Sequence, residues 1–267
     1  MSRTVADITT ALNSRYPASW AEDWDRVGLV LGEPEETVRR VLLAVDVVPE
    51  TASQAIEVGA QMILAHHPLL LRGVSSVAPT TYKGRIVHQL IRAGVALFVA
   101  HTNADVANPG VSDALAARLG LRELRPLRAA TGAAAGEGRG LGRIGELPEP
   151  LRFGDFLTGA AAALPRTPSG IRAAGDPDRV VRTVAVCGGA GDEFLPDAAG
   201  VDVYLTADLR HHPASEHVAD RGPALVDTAH WATERPWLDT VAEQLAGLGM
   251  QTVVSDLCTD PWNLRVQ

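Results

Sequence analysis

Cysteine is nearly absent: Cys187 and Cys258 are the only two, far apart and in no C-x-x-C pair. That excludes a disulfide-stapled secreted fold, argues against a thiolate zinc site, and makes a reducing cytoplasm the expected setting. The start, M-S-R-T-V-A-D-I, has no basic segment followed by an apolar one. No uninterrupted apolar run approaches the roughly 20 residues of a membrane span, so neither targeting nor membrane association is expected. Lysine is also sparse, although arginine and alanine abound. Lys83 is the only lysine, a bias that base composition of the genome explains, and the formal net charge is −8. A binder of nucleic-acid backbone needs clustered Lys and Arg, so nucleic acid is not an expected partner and a small molecule is. The phosphate-binding pattern G-x-x-x-x-G-K-[ST] is missing too, which leaves Arg72, Lys83, Arg85 and Arg210 as individual candidates for meeting a phosphate.

The 267 residues, 46% hydrophobic and 21% charged, suffice for one large or two modest globular domains. Apolar runs at Val41 to Val48, Met62 to Ala65, Val95 to Ala100, Val180 to Val186, Val201 to Leu205 and Ala224 to Val226 are predicted strands. Helices are predicted at Pro49 to Gly59, Gly84 to Ala93, Val111 to Leu119, Pro213 to Asp220 and Thr233 to Leu248. This alternation predicts an α/β fold. The halves echo one another, each reading strand, helix, strand, then His-His-Pro, which predicts two similar α/β lobes facing each other across a cleft. The stretch Thr131 to Gly142 is almost all Ala, Gly, Glu and Arg and predicts a mobile connection. Leu141 to Ala173 is expected to form a small insertion. The resulting division is a first lobe over 1–130, a connection with a short insertion over 131–175, and a second lobe over 176–267.

Five of the eight histidines, His66, His67, His211, His212 and His230, stand at the ends of apolar runs. Ligands of open α/β sheets collect outside the carboxyl ends of strands, so these positions face a site. Neighbouring side chains on a strand point to opposite faces, and His66 and His67 reach one site only where the strand is ending, as Pro68 suggests. His101 and Asp105 follow the predicted strand Val95 to Ala100, and His230 and Glu234 are four apart, which puts them on one face if that stretch is helical. His88 and His217 are assigned no role. Imidazole and carboxylate without thiolate suit zinc, iron, manganese, nickel or cobalt equally. A single catalytic zinc ordinarily takes three protein ligands, and five or six candidates exceed that. Two divalent ions about 3.5 to 4 Å apart, bridged by a carboxylate such as Asp105 or Glu234, account for the surplus.

W-D-R-V-G-L, A-H-H-P-L-L, Y-K-G-R-I with H-T-N-A-D, Y-L-T-A-D-L-R-H-H, D-T-A-H-W-A-T-E and T-D-P-W occur in that order along nearly the whole chain. Together they resemble the NGG-interacting-factor-three-like family, also described as GTP cyclohydrolase I type 2 homologues or dinuclear metal centre hexameric proteins. The resemblance implies a dimetal site whose ligands fall on His66, His67, Asp105, His230 and Glu234. His101 is a sixth candidate, and Asp208, His211 and His212 stand as supporting or substrate-facing residues. Where the family has T-G-E or T-G-D, this chain has T-A-D, with Ala207 in the glycine position. The resemblance also implies a homohexamer built as a trimer of dimers, and a metal-dependent hydrolase acting on GTP or another heterocycle. The alternatives are a broad phosphoesterase or amidohydrolase on the same ions, and a non-catalytic metal-binding scaffold.

Overall fold

The computed structural model describes residues 3–266, which divide into two compact units, 3–104 with 238–259 and 105–237 with 260–266. Each is α/β, as the alternation of runs predicts.

In the first unit, β1 (Arg3–Thr4) pairs with β3 (Thr37–Val38), and a capping box between Thr4 and Asp7 opens α1 (Val5–Arg15). The main sheet has four parallel strands, β4 (Arg40–Ala44), β5 (Met62–Ala65), β6 (Ala96–Val99) and β13 (Gln251–Val254), with β2 (Gly28–Leu31) antiparallel on the β6 edge. Every residue of β5 and β6 is buried. Unbroken apolar runs of this kind are what a parallel strand covered on both faces requires. The helices α2 (Pro49–Glu57) and α3 (Tyr82–Ala93) pack Ala52, Ala55, Ile86 and Leu90 against Leu42, Ile63 and Leu97 of the sheet. The Thr81 hydroxyl accepts from Gly84 N at the start of α3, and Gly94, in the left-handed conformation, stops it.

The second unit is a six-stranded mixed sheet in the order β7 (Arg122–Ala129), β8 (Gly140–Arg152), β10 (Val180–Ala190), β11 (Val203–Ala207), β12 (Ala224–Thr228), β9 (Ile171–Ala174). Only its centre, β10, β11 and β12, is parallel. Alternate residues serve opposite faces. Val184 and Leu205 meet Leu115 of α5 (Val111–Arg118) and Phe153 and Phe156 of α6 (Phe153–Ala163), while Ala185 and Tyr204 meet Phe194 and Ala198. The helix α7 (His211–Ala219) joins β11 to β12. The helix α8 (His230–Ala246) belongs to the second unit as far as Trp237 and to the first from Leu238.

The structure differs from the sequence reading most in the middle of the chain. The stretch expected to be a mobile connection is the turn of a β7–β8 hairpin, with a short 3-10 turn at Gly132–Ala134. The segment expected to be an insertion supplies β8, α6 and β9, and so provides an inner strand, a covering helix and the far edge of the sheet. Small residues predict weak packing locally, but the long antiparallel ladders of β8 with β7 and β10 are set by distant partners that composition does not reveal.

Candidate metal centre

In the first unit the ladder carries past the end of β5: His66 N donates to Ala44 O at 3.1 Å and His67 N to Val45 O at 2.8 Å. The chain therefore stays extended just long enough to place both imidazoles at the carboxyl end of the sheet. His66 is fully buried and His67 half-buried. His101 stands two residues beyond β6, with its ring centroid 5.1 Å from that of His66 and 5.5 Å from that of His67. One nitrogen from each of the three rings lies within 4.8 Å of the others, a spacing suited to a shared cation.

Each ring is held through Nδ1. The Ala100 carbonyl accepts from His66 Nδ1 at 2.9 Å, so that nitrogen carries the proton and Nε2 keeps its lone pair. Asp46 bonds His67 Nδ1 at 2.7 Å and also accepts from the Thr259 hydroxyl. Asp25 bonds His101 Nδ1 at 2.9 Å and accepts from Arg26 N and Thr102 N. Burial alone would raise the pKa of Asp25. The hydrogen bonds from His101 and Thr102 outweigh it and hold this carboxyl well below the usual carboxylate range. A carboxylate or carbonyl behind Nδ1 fixes the tautomer and ring orientation of a metal-binding histidine and raises its basicity. Sequence reasoning missed Asp25 and Asp46. The available signal was a charged Asp46 inside the apolar run Val41 to Val48, whose strand ends at Ala44, and Asp25 inside W-D-R-V-G-L.

In the second unit His230 and Glu234 lie one turn apart at the start of α8, His230 Nε2 being 3.0 Å from Glu234 Oε1. Asp208 Oδ2 bonds His230 Nδ1 at 2.6 Å, the same tether again. Burial would lower the pKa of His230, but the two carboxylates override it and push it up to about 11. Two carboxylates about one imidazole form a place that favours a cation. Asp208 adopts a left-handed backbone, φ 57°, which Asp tolerates better than most residues. The preceding Ala207 is an ordinary β11 residue paired with Thr228, so a side chain is accommodated at that position.

Asp105, half-buried, is the last residue of the four-residue helix α4 (Thr102–Asp105). The segment after it is tied down by Arg143, which is 1% exposed. Arg143 donates to Ala107 O at 2.6 Å, to the carbonyls of Gly140 and Gly142, and to both oxygens of Asp113. A buried guanidinium with its donors this fully committed fixes the backbone around it.

The remaining candidates lie elsewhere. His211 and His212 are exposed on the first turn of α7, with their rings 5.3 Å apart. Arg210 is paired with Asp192. Lys83 lies 6.0 Å above the Tyr82 ring, Arg72 is exposed, and Arg85 lines an open cavity of about 440 Å³ with His88 and Arg92. His217 bonds the Pro223 carbonyl.

Comparison with known proteins finds relatives along nearly the whole chain. The sequence model of the family described as Duf34/NIF3 (NGG1p interacting factor 3) matches residues 3–261. The chain is 52% identical to a GTP cyclohydrolase 1 type 2 homolog of Streptomyces coelicolor, over 98% of this chain and 94% of that protein. It is 38% identical to one from Mycobacterium tuberculosis, over 99% and 98%. That alignment spans 372 positions, so the mycobacterial protein carries residues that this chain lacks. Among solved structures, a Staphylococcus aureus protein superposes with a TM-score of 0.89 at 27% identity, covering 99% of this chain and 100% of that one. A Bacillus cereus protein related to NIF3 gives 0.87 at 25%, covering 98% and 99%. No helix is long and apolar enough to cross a membrane among the described residues.

Proposed function

The chain belongs to the DUF34/NIF3 family, and from that premise we propose that it is a metal-dependent hydrolase with a dinuclear centre. Its ligands are His66, His67, Asp105, His230 and Glu234, and it works as a homohexamer on a nucleotide or another small heterocycle. One observation carries this reading: the four histidines of the two groups each have Nδ1 tethered, by Ala100, Asp46, Asp25 and Asp208. Histidines kept for packing do not need their tautomers fixed four times over, whereas metal ligands do. The donor chemistry fits a divalent ion, since imidazoles and carboxylates with no thiolate accept zinc, iron, manganese, nickel or cobalt.

When bound, such ions supply Lewis acidity and make water acidic enough to act as a nucleophile near neutral pH. The chain's own residues do the rest. Asp46, Asp25 and Asp208 hold the imidazoles at Nδ1 so that Nε2 is the ligating atom. His101 is a sixth donor or an orienting group beside His66 and His67. GTP enters this reading through the relatives described as GTP cyclohydrolase 1 type 2 homologs, which supports a heterocyclic substrate.

The test is purified protein with its metal content determined, assayed against GTP, simple phosphoesters and cyclic amides beside the His67→Ala, Glu234→Ala double variant. The expected result is about two ions per wild-type chain, fewer in the variant, and turnover that tracks metal. Turnover that persists after the metal is stripped would overturn the hydrolase reading, and absent turnover in an intact metal-loaded hexamer would favour a scaffold.

A further inference from the structure

The end of β10 reads Gly188-Gly189-Ala190-Gly191, and it lies against His230 and Glu234. Glycine-rich turns that hold phosphate present their amide N–H groups to the ligand. Here those groups are already used. Gly188 N donates to Ser112 Oγ, Gly189 N to Thr233 Oγ1 at 2.8 Å, and Gly191 N to Ala207 O. The carbonyls are held as well, Gly189 O by the Thr206 hydroxyl at 3.0 Å and Gly191 O by the Tyr204 hydroxyl at 2.7 Å. What the turn offers is therefore space. Gly189 has φ 71°, and a Cβ built on it would sit 2.5 Å from Glu234 Oε1 and 3.1 Å from His230 Nε2. Thr233, between those two residues on α8, accepts from Gly189 N and donates to His230 O at 2.6 Å. One hydroxyl thus locks the glycine to the turn of helix that carries both groups.

We propose that Gly189 is a positioning residue of the metal centre, latched by Thr206 and Thr233 against α8, and that its missing side chain is the space in which the Glu234 carboxylate turns toward His230. The inference rests on the reading of Glu234 as a ligand. A Cβ at 189 meets the far end of a flexible side chain, so the carboxylate gives way before the backbone does. Metal binding then suffers more than folding.

The experiment measures Zn²⁺ and Mn²⁺ bound per chain, their affinities by chelator competition, and the thermal midpoint of the metal-free protein. The variants are Gly189→Ala, Gly189→Asn, Thr206→Val, and Gly189→Ala combined with Glu234→Asp. Asn tolerates a left-handed backbone better than Ala, so Gly189→Asn introduces bulk with less backbone strain than Gly189→Ala. It is expected to bind about 10-fold more weakly or worse, the range for losing a ligand's support, with a metal-free midpoint near that of the wild type. The shorter carboxylate of Glu234→Asp is expected to restore part of what Gly189→Ala loses. Thr206→Val, which keeps the glycine and removes one latch, is expected to weaken binding less than Gly189→Asn does, and it carries the test if the bulkier variants fail to fold. Wild-type affinity in Gly189→Asn or in Thr206→Val overturns the proposal, as does a double variant no better than Gly189→Ala alone. A wild-type chain that takes up no metal overturns the ligand reading itself, and this inference with it.

Discussion

Two His-His-Pro sequences follow a buried parallel strand, one in each unit, and they end up in opposite circumstances. His66 and His67 directly follow β5 and are buried or half-buried, each with its Nδ1 tethered. His211 and His212 come four and five residues after the strand-end Ala207, and both are exposed on α7. The ladders explain the difference. Met62 pairs with Val41 and Val203 with Val184. Counted from those partners, the places held by His66 and His67 in the first unit are held by Ala207 and Asp208 in the second. Asp208, not the second histidine pair, occupies the working position and tethers His230. The place at the end of the strand, rather than the repeated motif, decides which side chains the fold brings together.

The largest effect that sharpens this comparison is expected from His66→Ala: metal affinity should fall by more than about 100-fold, beyond the loss of an orienting partner. A change under tenfold, read by chelator competition, would mean that the strand-end pair is not the primary ligand set. Asp46→Asn keeps the size of the tether but weakens it, and should cost about 10- to 100-fold in affinity with the fold intact. Asp208→Asn should fall in the same range, because the two carboxylates do the same job in the two units. An effect at one and none at the other breaks the parallel.

A smaller effect separates the two strand starts. In the first unit Gln61 Oε1 accepts from Arg39 N and Arg40 N, and in the second Asp202 Oδ2 accepts from Arg182 N and Thr183 N. Burial would raise the pKa of Asp202, but its backbone bonds from Thr183 and Arg182 prevail and lower it. Its contribution to stability is complete above the unfolded carboxylate value of about 3.9 and is lost as pH falls through the lowered native one. Asp202→Asn should flatten the acid limb of stability measured by urea titration, and Asp202→Ala should cost about 1–3 kcal/mol at neutral pH. The Gln61 brace has no proton to take up, so Gln61→Ala should destabilise without changing the pH profile. The smallest effect is expected from the paired substitution His211→Ala, His212→Ala, which should leave metal content and melting unchanged. A lost ion would restore the second His-His-Pro to the site.

The α/β class was legible because buried parallel strands are short continuous apolar runs, and β5 was read to its last residue. The hairpin β7–β8 and the edge strand β9 were not, since Gly140–Arg152 alternates small, charged and apolar residues and becomes a strand only through partners on either side. Of the candidate site, the clustering of His66, His67 and His101 was legible from their placement at strand ends. The supports were not. Asp25 meets His101 across 76 residues of sequence, and Gly189 contributes by having nothing there, a property no residue count exposes.

The Ala100 carbonyl behind His66 has one further consequence. Asp46, Asp25 and Asp208 are side chains, and a single nucleotide change can delete any of them. A main-chain oxygen is supplied whatever residue stands at position 100, so the orientation of His66 is inherited from the path of the chain, not from an allele. Over generations of drift, the imidazole at the centre of the three-ring group should therefore be the last of the four to lose its aim.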